Sequence, residues 1–200
     1  MKQNNDKKTN EKGSVSVSEK LGNPAAVGLA GFGATTLLLQ FHNLGWVGGT
    51  GAVMWIAIAF GGLSQLIAGF LEFKTGNNFG FAAFVTYGAF WLALAGIFGT
   101  GSKLGITGTD TGWFLLIFTG LTFIYFIGAM KQHTAISIVF LTLLLGFIGL
   151  DISHLGGPAV FTKIAAWDLI ICALSAWYLM AHVVLGSVGI KLPVGKAWIK

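Results

Sequence analysis

The chain has 200 residues, of which 54% are hydrophobic and only 10% are charged, with a formal net charge of +5. Soluble domains usually contain about 25% charged residues, so this composition excludes an ordinary soluble domain and indicates a membrane protein. Every basic residue is a lysine, which excludes a bidentate arginine site for a carboxylate or phosphate. Because the lysines are scattered, we expect no nucleic acid partner.

Residues 1–22 are polar and rich in lysine, which predicts a flexible cytoplasmic tail. Six apolar stretches follow, each long enough or nearly so to cross a bilayer core of about 30 Å. The predicted fold class is therefore all-α, a polytopic membrane protein with a six-helix domain at residues 23–190 and a short C-terminal tail at residues 191–200. The predicted spans are Ala25–Leu44, Gly51–Phe73, Phe79–Thr100, Gly112–Met130, Ala135–Ile152 and Ile164–Gly186.

The lysines also predict the orientation of the spans. With the N-terminus inside the cell, only Lys103 and Lys163 fall in outer loops. Lysines are enriched in cytoplasmic loops, and an even number of spans agrees with this arrangement. We expect a multi-pass protein of the cytoplasmic membrane with both termini in the cytoplasm.

The first span begins with Asn23 as a helix cap and Pro24 at the first helical position. Helical spacing places polar side chains and one aromatic ring on a shared stripe. Such side chains in lipid need water or protein beside them. They therefore either form hydrogen bonds between helices or line a polar path with an apolar gate. Their number favours the path. The stripe contains Phe32, Thr36, Leu39 and Asn43, with Thr35 and Gln40 at its edges.

Glycines flank Phe32 at positions 28, 31 and 33. Since small residues let helix backbones approach closely in membranes, another helix is expected to pack there.

Two other spans contain candidate residues. Tyr87 and Trp91 lie four residues apart and share a helix face, which alone fits an aromatic packing stripe as well as a pore wall. Gln65 is a lone amide in the second span, where hydrogen bonding between helices and pore lining are both open.

The stretch NPAAVGLAGFGATTLLLQFHN, residues 23–43, resembles the opening helix of the acetate uptake transporter family, which includes succinate–acetate permeases. A second stretch, GNNFGFAAFVTYGAFW at residues 76–91, is similar to the other signature of that family. Both stretches occur in the family's order. The family motif residues of the first stretch are Asn23, Pro24, Gly28 and Leu29.

The resemblance implies a pore within each subunit, lined mainly by the first, third and fifth spans and narrowed by an apolar ring. The ring maps to Phe32, Tyr87 and Leu143, with Leu141 as the alternative leucine. Such a ring hinders hydrated ions and admits a small solute with a methyl face. Six subunits would assemble, and acetate and succinate would be the permeants. The predicted lining residues are Thr35, Thr36, Gln40, Asn43, Gln65 and Trp91.

Ionisable residues near span ends are interpreted mostly as interfacial. Glu72 is expected to snorkel beside Lys74. Three ionisable groups are expected at solvated loop edges of the outer face, namely His42, Asp151 and His154. The alternative is that they surround an outer pore mouth that titrates near neutral pH.

In the last span, Asp168 has Lys163 as a possible partner, or lies at a subunit interface. Cys172 is expected to be a core residue. No metal or cofactor is expected, because the single cysteine excludes a cysteine-rich metal site and no nucleotide-binding loop is present.

The predicted function is a channel or transporter for acetate and other short carboxylates, and the chain is not expected to be an enzyme. A channel-like or weakly proton-linked path is favoured, since no mid-span carboxylate relay or arginine is evident. An intramembrane enzyme would need paired groups at one depth, and only His42, Asp151 and His154 are candidates. An acetate-responsive membrane sensor without transport activity is the alternative.

Overall fold

A computed structural model describes residues 22–200, and this part of the chain contains helices and no strand. Six helices are long and apolar enough to cross a membrane, which confirms the predicted fold class. Apart from Gly22, the predicted N-terminal tail lies outside the described residues. The observed spans are Ala25–Asn43, Gly51–Lys74, Asn78–Thr100, Gly108–Met130, Thr134–His154 and Val160–Ser187.

The fourth and sixth spans begin four residues earlier than predicted. In the fourth, the Thr107 hydroxyl accepts a hydrogen bond from Asp110 N–H, and the Asp110 carboxylate accepts one from Thr107 N–H at 2.8 Å. The sixth span starts just after Pro158, whose carbonyl accepts from Phe161 N–H. A prediction from apolar runs omits the polar first turn of the fourth span, although its capping box makes that turn helical.

The ends of the spans define two faces of the molecule. We call the face at which the first span begins and the sixth span ends the terminal face. The turns at Thr75–Asn77 and Lys131–His133 also lie there, whereas the loops around Gly45, Gly105 and Gly156 lie on the far face. These three glycines have positive φ values, a conformation that favours glycine and reverses the chain in few residues.

The first span packs on the second and sixth spans. A Cβ atom on Gly31 would lie 2.4 Å from the carbonyl oxygen of Phe60, and one on Gly33 would lie 2.9 Å from that of Ala173. These contacts confirm the close helix approach predicted at the glycines. They also fix Phe32 between two neighbouring backbones.

The middle of the second span is π-helical at Ala57–Ser64, beside the first and third spans. The wider turn leaves Gly61 and Gly62 facing neighbouring spans: a Cβ on Gly61 would meet Thr35, and one on Gly62 would meet Leu92. π-helical insertions are frequent at functional sites. Here the segment lets the second span follow the first closely.

The last residues of the chain are tied to the terminal face. The carbonyl of Leu192 accepts from the His182 ring at 2.7 Å, and that of Pro193 accepts from the Tyr178 hydroxyl at 2.6 Å. The carbonyl of Val194 accepts from Ala135 N–H at 2.9 Å. The segment at residues 191–200 therefore links the fifth and sixth spans.

Candidate permeation path

A cavity of about 160 Å³ extends into the protein from the terminal face, with room for several water molecules or a small carboxylate. Its walls come from the first, second, third, fifth and sixth spans. No lysine, aspartate or glutamate of the described residues lines it. The lining residues are Ala25, Leu29, Phe32, Gln65, Asn77, Phe79, Gly80, Ala83, Phe84, Tyr87, Gln132, His133, Ile136, Val139, Phe140, Leu143, Leu179, His182 and Val183.

The cavity ends at one depth in all five spans. With a rise of about 1.5 Å per residue, the deepest lining residue of each span lies about 10 to 14 Å from the terminal-face end of its helix. That depth is near the middle of a bilayer core about 30 Å thick. We call these five residues the inner ring: Phe32, Gln65, Tyr87, Leu143 and Leu179.

The three residues of the predicted constriction all belong to the inner ring. Phe32 and Tyr87 meet edge to face, with ring centroids 5.9 Å apart. Phe32, Tyr87 and Leu143 are each 5% exposed or less. Leu143 lines the cavity and Leu141 does not. The ring is apolar except for the Gln65 amide and the Tyr87 hydroxyl.

The Tyr87 hydroxyl points away from the path into the fourth span. It lies 2.8 Å from the Thr122 hydroxyl, which itself donates to the carbonyl of Phe118 at 2.6 Å. Because Thr122 has one proton to donate, Tyr87 must be the donor to Thr122. This bond fixes the orientation of the tyrosine and leaves its aromatic ring against Phe32.

Beyond the inner ring, the predicted lining residues of the first span form a chain of amides along one helix. Gln40 donates to the Thr36 carbonyl at 3.2 Å and accepts from the Asn43 amide at 3.0 Å. The Thr36 hydroxyl is buried and has no hydrogen-bond partner within residues 22–200. Buried polar groups are rarely left unpaired, so this hydroxyl retains an unused capacity to form a hydrogen bond.

Thr35 and Trp91 lie together on a different side. The Thr35 hydroxyl donates to the Ile56 carbonyl at 3.4 Å, and a Cβ on Gly61 would touch both Thr35 and Trp91. Both side chains pack at the π-helical segment, away from the cavity. Trp91 Nε1–H and Gln65 Oε1 are buried, and neither has a partner in the described part of the chain.

Three of the four motif residues of the first span shape its start and its packing. The Asn23 side chain accepts from Ala25 N–H at 2.9 Å, and Pro24 takes the N-cap position rather than the predicted first helical position. A Cβ on Gly28 would lie 2.7 Å from the Phe84 ring. Leu29 is buried and lines the cavity. The motif therefore starts the helix and sets its distance from the third span.

Two carboxylates are more buried than expected. Glu72 is 2% exposed and accepts from the Asn77 amide at 2.7 Å, so the snorkelling interpretation is wrong. Asp151 is 6% exposed and accepts from the Thr119 hydroxyl at 2.6 Å, so a solvated loop edge is wrong as well. Each carboxylate lies between two spans, where burial is costly and its hydrogen bond offsets part of that cost. Cys172 is fully buried in the core, as predicted.

At the terminal face, two histidines line the cavity. His133 caps the fifth span, since its Nδ1 accepts from Ile136 N–H at 3.2 Å. His182 lies in the sixth span. Burial, followed by the charge of His182, lowers the pKa of His133 from its usual value of 6.5. Neither residue was predicted from the sequence, because neither belongs to a recognisable motif and they are far apart in the chain.

The model of the GPR1/FUN34/yaaH family matches residues 7–188. The chain belongs to this family. The result confirms the family resemblance of the two signature stretches.

Within the GPR1/FUN34/yaaH family, the chain is 40% identical over 184 residues to the succinate-acetate/proton symporter SatP of Escherichia coli strain K12, a match covering 89% of this chain and 97% of that protein. Acetate permease A of Emericella nidulans is 32% identical over 182 residues, covering 80% and 61% of the two chains. The solved structure of the bacterial acetate channel SatP matches with a TM-score of 0.83 at 39% identity, covering 88% of this chain and 100% of that one. Together with six apolar helices, these similarities identify a multi-pass membrane protein.

Proposed function

We propose that this protein moves acetate, and other short carboxylates such as succinate, across the cytoplasmic membrane through a path within each subunit. The main support is the inner ring. Side chains of five spans, most of them apolar, close one cavity at a common depth. The names of the relatives, a succinate-acetate/proton symporter and an acetate channel, agree with this function.

The mechanism follows from the chemistry of the two ends of acetate. Its methyl group can contact the apolar side chains of Phe32, Tyr87 and Leu143. The same constriction hinders hydrated ions. Its carboxyl group needs hydrogen-bond donors on either side. Beyond the ring, the Thr36 hydroxyl and the Gln40 amide supply them, with Gln65 at the ring itself. Thr35, Asn43 and Trp91 support this wall from the surrounding packing.

We also propose that the terminal face is cytoplasmic, since most lysines of the described segments lie there. The sixth span exposes a row of large apolar side chains on its outer surface, among them Ile164, Trp167 and Ile171. Such a face suits lipid or a neighbouring subunit, in agreement with the hexamer implied by the family resemblance. The proposal assigns no enzymatic activity and no cofactor to the chain.

Uptake of labelled acetate into liposomes containing the purified protein tests this function. We expect uptake faster than the leak of empty liposomes, and a change in rate with Tyr87→Ala. Phe123→Ala is the matched control, because Phe123 is 53% exposed on the fourth span. An inward proton gradient separates coupled transport from a channel. Absence of uptake by folded protein would instead support an acetate sensor.

A further inference from the structure

The two histidines of the cavity differ in which ring nitrogen holds a proton. The Nδ1 atom of His133 accepts from a backbone N–H, that of Ile136 at 3.2 Å. The Nδ1 atom of His182 lies 2.7 Å from a backbone carbonyl, that of Leu192. A backbone N–H can only donate and a carbonyl can only accept. Neutral His133 therefore has its proton on Nε2, and neutral His182 has its proton on Nδ1.

These bonds leave one donor and one acceptor for the cavity. His133 offers Nε2–H, and His182 offers the lone pair of Nε2. A protonated carboxylic acid has the complementary pair, a carbonyl that accepts and a hydroxyl that donates. Both histidines line the same cavity, whose other end is the inner ring.

We infer that His133 and His182 form a binding site for the carboxyl group of the permeant at the terminal-face mouth of the cavity, where His182 exchanges a proton with it. The inference rests on the proposed function, since the permeant is a short carboxylate. The acid binds with its carbonyl on His133 Nε2–H and its hydroxyl on His182 Nε2. The O–H bond then breaks as the His182 N–H bond forms, which leaves a carboxylate facing an imidazolium and a neutral imidazole.

Of the two rings, only His182 can accept this proton without losing its bond to the backbone. Protonation of His133 on Nδ1 would break the cap of the fifth span, whereas protonation of His182 on Nε2 keeps its bond to Leu192. Burial and the nearby His182 also lower the pKa of His133, which favours the neutral form of that ring. The C-terminal segment thus acts as a positioning element, since the Leu192 carbonyl selects the tautomer of His182.

Among the described residues, no lysine, aspartate or glutamate lines the cavity beside the two histidines. Glu72 does not line the cavity, and its carboxylate accepts a hydrogen bond from Asn77, which does. Lys131 donates to the carbonyl of Lys200. The remaining lysines at this face of the described chain are exposed to solvent, namely Lys74, Lys191 and Lys196.

Direct binding of acetate tests the site without relying on transport. The double variant His42→Asn, His154→Asn leaves only the two cavity histidines, whose ¹⁵N imidazole signals are then followed by NMR in detergent as acetate is added. We expect both Nε2 signals to shift in a saturable manner. Sodium chloride at the same ionic strength is the control. Signals that do not move, or that move equally with chloride, would overturn the inference.

Flux measurements separate this inference from the proposed function. His182→Asn retains a donor for Leu192, and His133→Asn retains a capping acceptor. Each should raise the acetate concentration at half-maximal uptake about tenfold or more, as expected for loss of one hydrogen bond to a charged group. His42→Asn is the matched control, because its Nδ1 also meets a carbonyl, that of Val47 at 2.9 Å, outside the cavity.

The outcomes are distinct. If wild-type protein transports acetate and both cavity variants behave like His42→Asn, the carboxyl site is refuted while the proposed function stands. If wild-type protein transports nothing, the proposed function is refuted, and the NMR titration alone decides on the site. If a cavity variant does not fold, the double variant, which retains both cavity histidines, still gives the answer.

Discussion

Replacement of Gly31 by alanine tests how the first span positions the inner ring. The new Cβ would lie 2.4 Å from the Phe60 carbonyl oxygen and 3.1 Å from its carbon. Ordinary contacts begin near 3.5 Å, so the first two spans must separate by about 1 Å. The obstructing atoms belong to the backbone and cannot rotate away. Overpacking of this kind costs about 1 to 3 kcal/mol.

For a chain of this length, each kcal/mol shifts Tm by roughly 2 to 4 °C. The Gly31→Ala protein should therefore melt roughly 2 to 12 °C lower in detergent, measured by tryptophan fluorescence. Acetate flux should change as well, because Phe32 is the next residue and moves with the span. Gly120→Ala is the control, since a Cβ there meets no atom within 4 Å. Equal melting of the wild-type and Gly31→Ala proteins would refute the close contact.

Three further predictions concern side chains around the cavity. Tyr87→Phe keeps the ring but loses the bond to Thr122, so we expect stability to fall by about 1 kcal/mol and acetate flux to change less than in Tyr87→Ala; equal flux changes would contradict the role of the ring. Glu72→Ala removes the bond to the Asn77 amide and empties a buried site, so it should lower Tm by several degrees, whereas Glu72→Gln retains an acceptor and should melt close to wild type; equal losses would argue against this bond. Because the folded-state pKa of His133 is below its usual 6.5, its contribution to stability is present above pH 6.5 and is lost as pH falls through the lowered value. Melting curves from pH 7.5 to 5 should therefore fall less for His133→Asn than for wild type, and parallel curves would contradict this assignment.

Hydropathy alone predicted the six spans, because a lipid bilayer requires long apolar helices. The early starts of the fourth and sixth spans were missed, since the first turn of the fourth is polar and is capped by Thr107, and Thr162 and Lys163 separate that of the sixth from the apolar run. No sequence pattern marks the π-helical segment. It depends on how Gly61 meets the first span, which a single sequence does not reveal.

The inner ring was predictable only in part. Phe32 and Tyr87 lie in distinctive motifs, while Leu143 stands in a run of leucines that differ only in orientation. Leu179 was not predicted, because an isolated leucine in an apolar span carries no signal. The burial of Glu72 was missed for a similar reason, since its partner Asn77 lies across a turn, where it also caps the third span.

The central claim is that side chains at the depth of Leu143 limit the path. It is tested most directly by the ratio of succinate to acetate flux in liposomes for Leu143→Ala and Leu145→Ala. The two residues lie on the same span, but Leu143 is 4% exposed in the inner ring and Leu145 is 50% exposed on the outer surface. We expect Leu143→Ala to raise the ratio, because removal of three carbons widens the ring for the larger carboxylate, and Leu145→Ala to leave it unchanged. Equal ratios in both variants and wild type would contradict the claim.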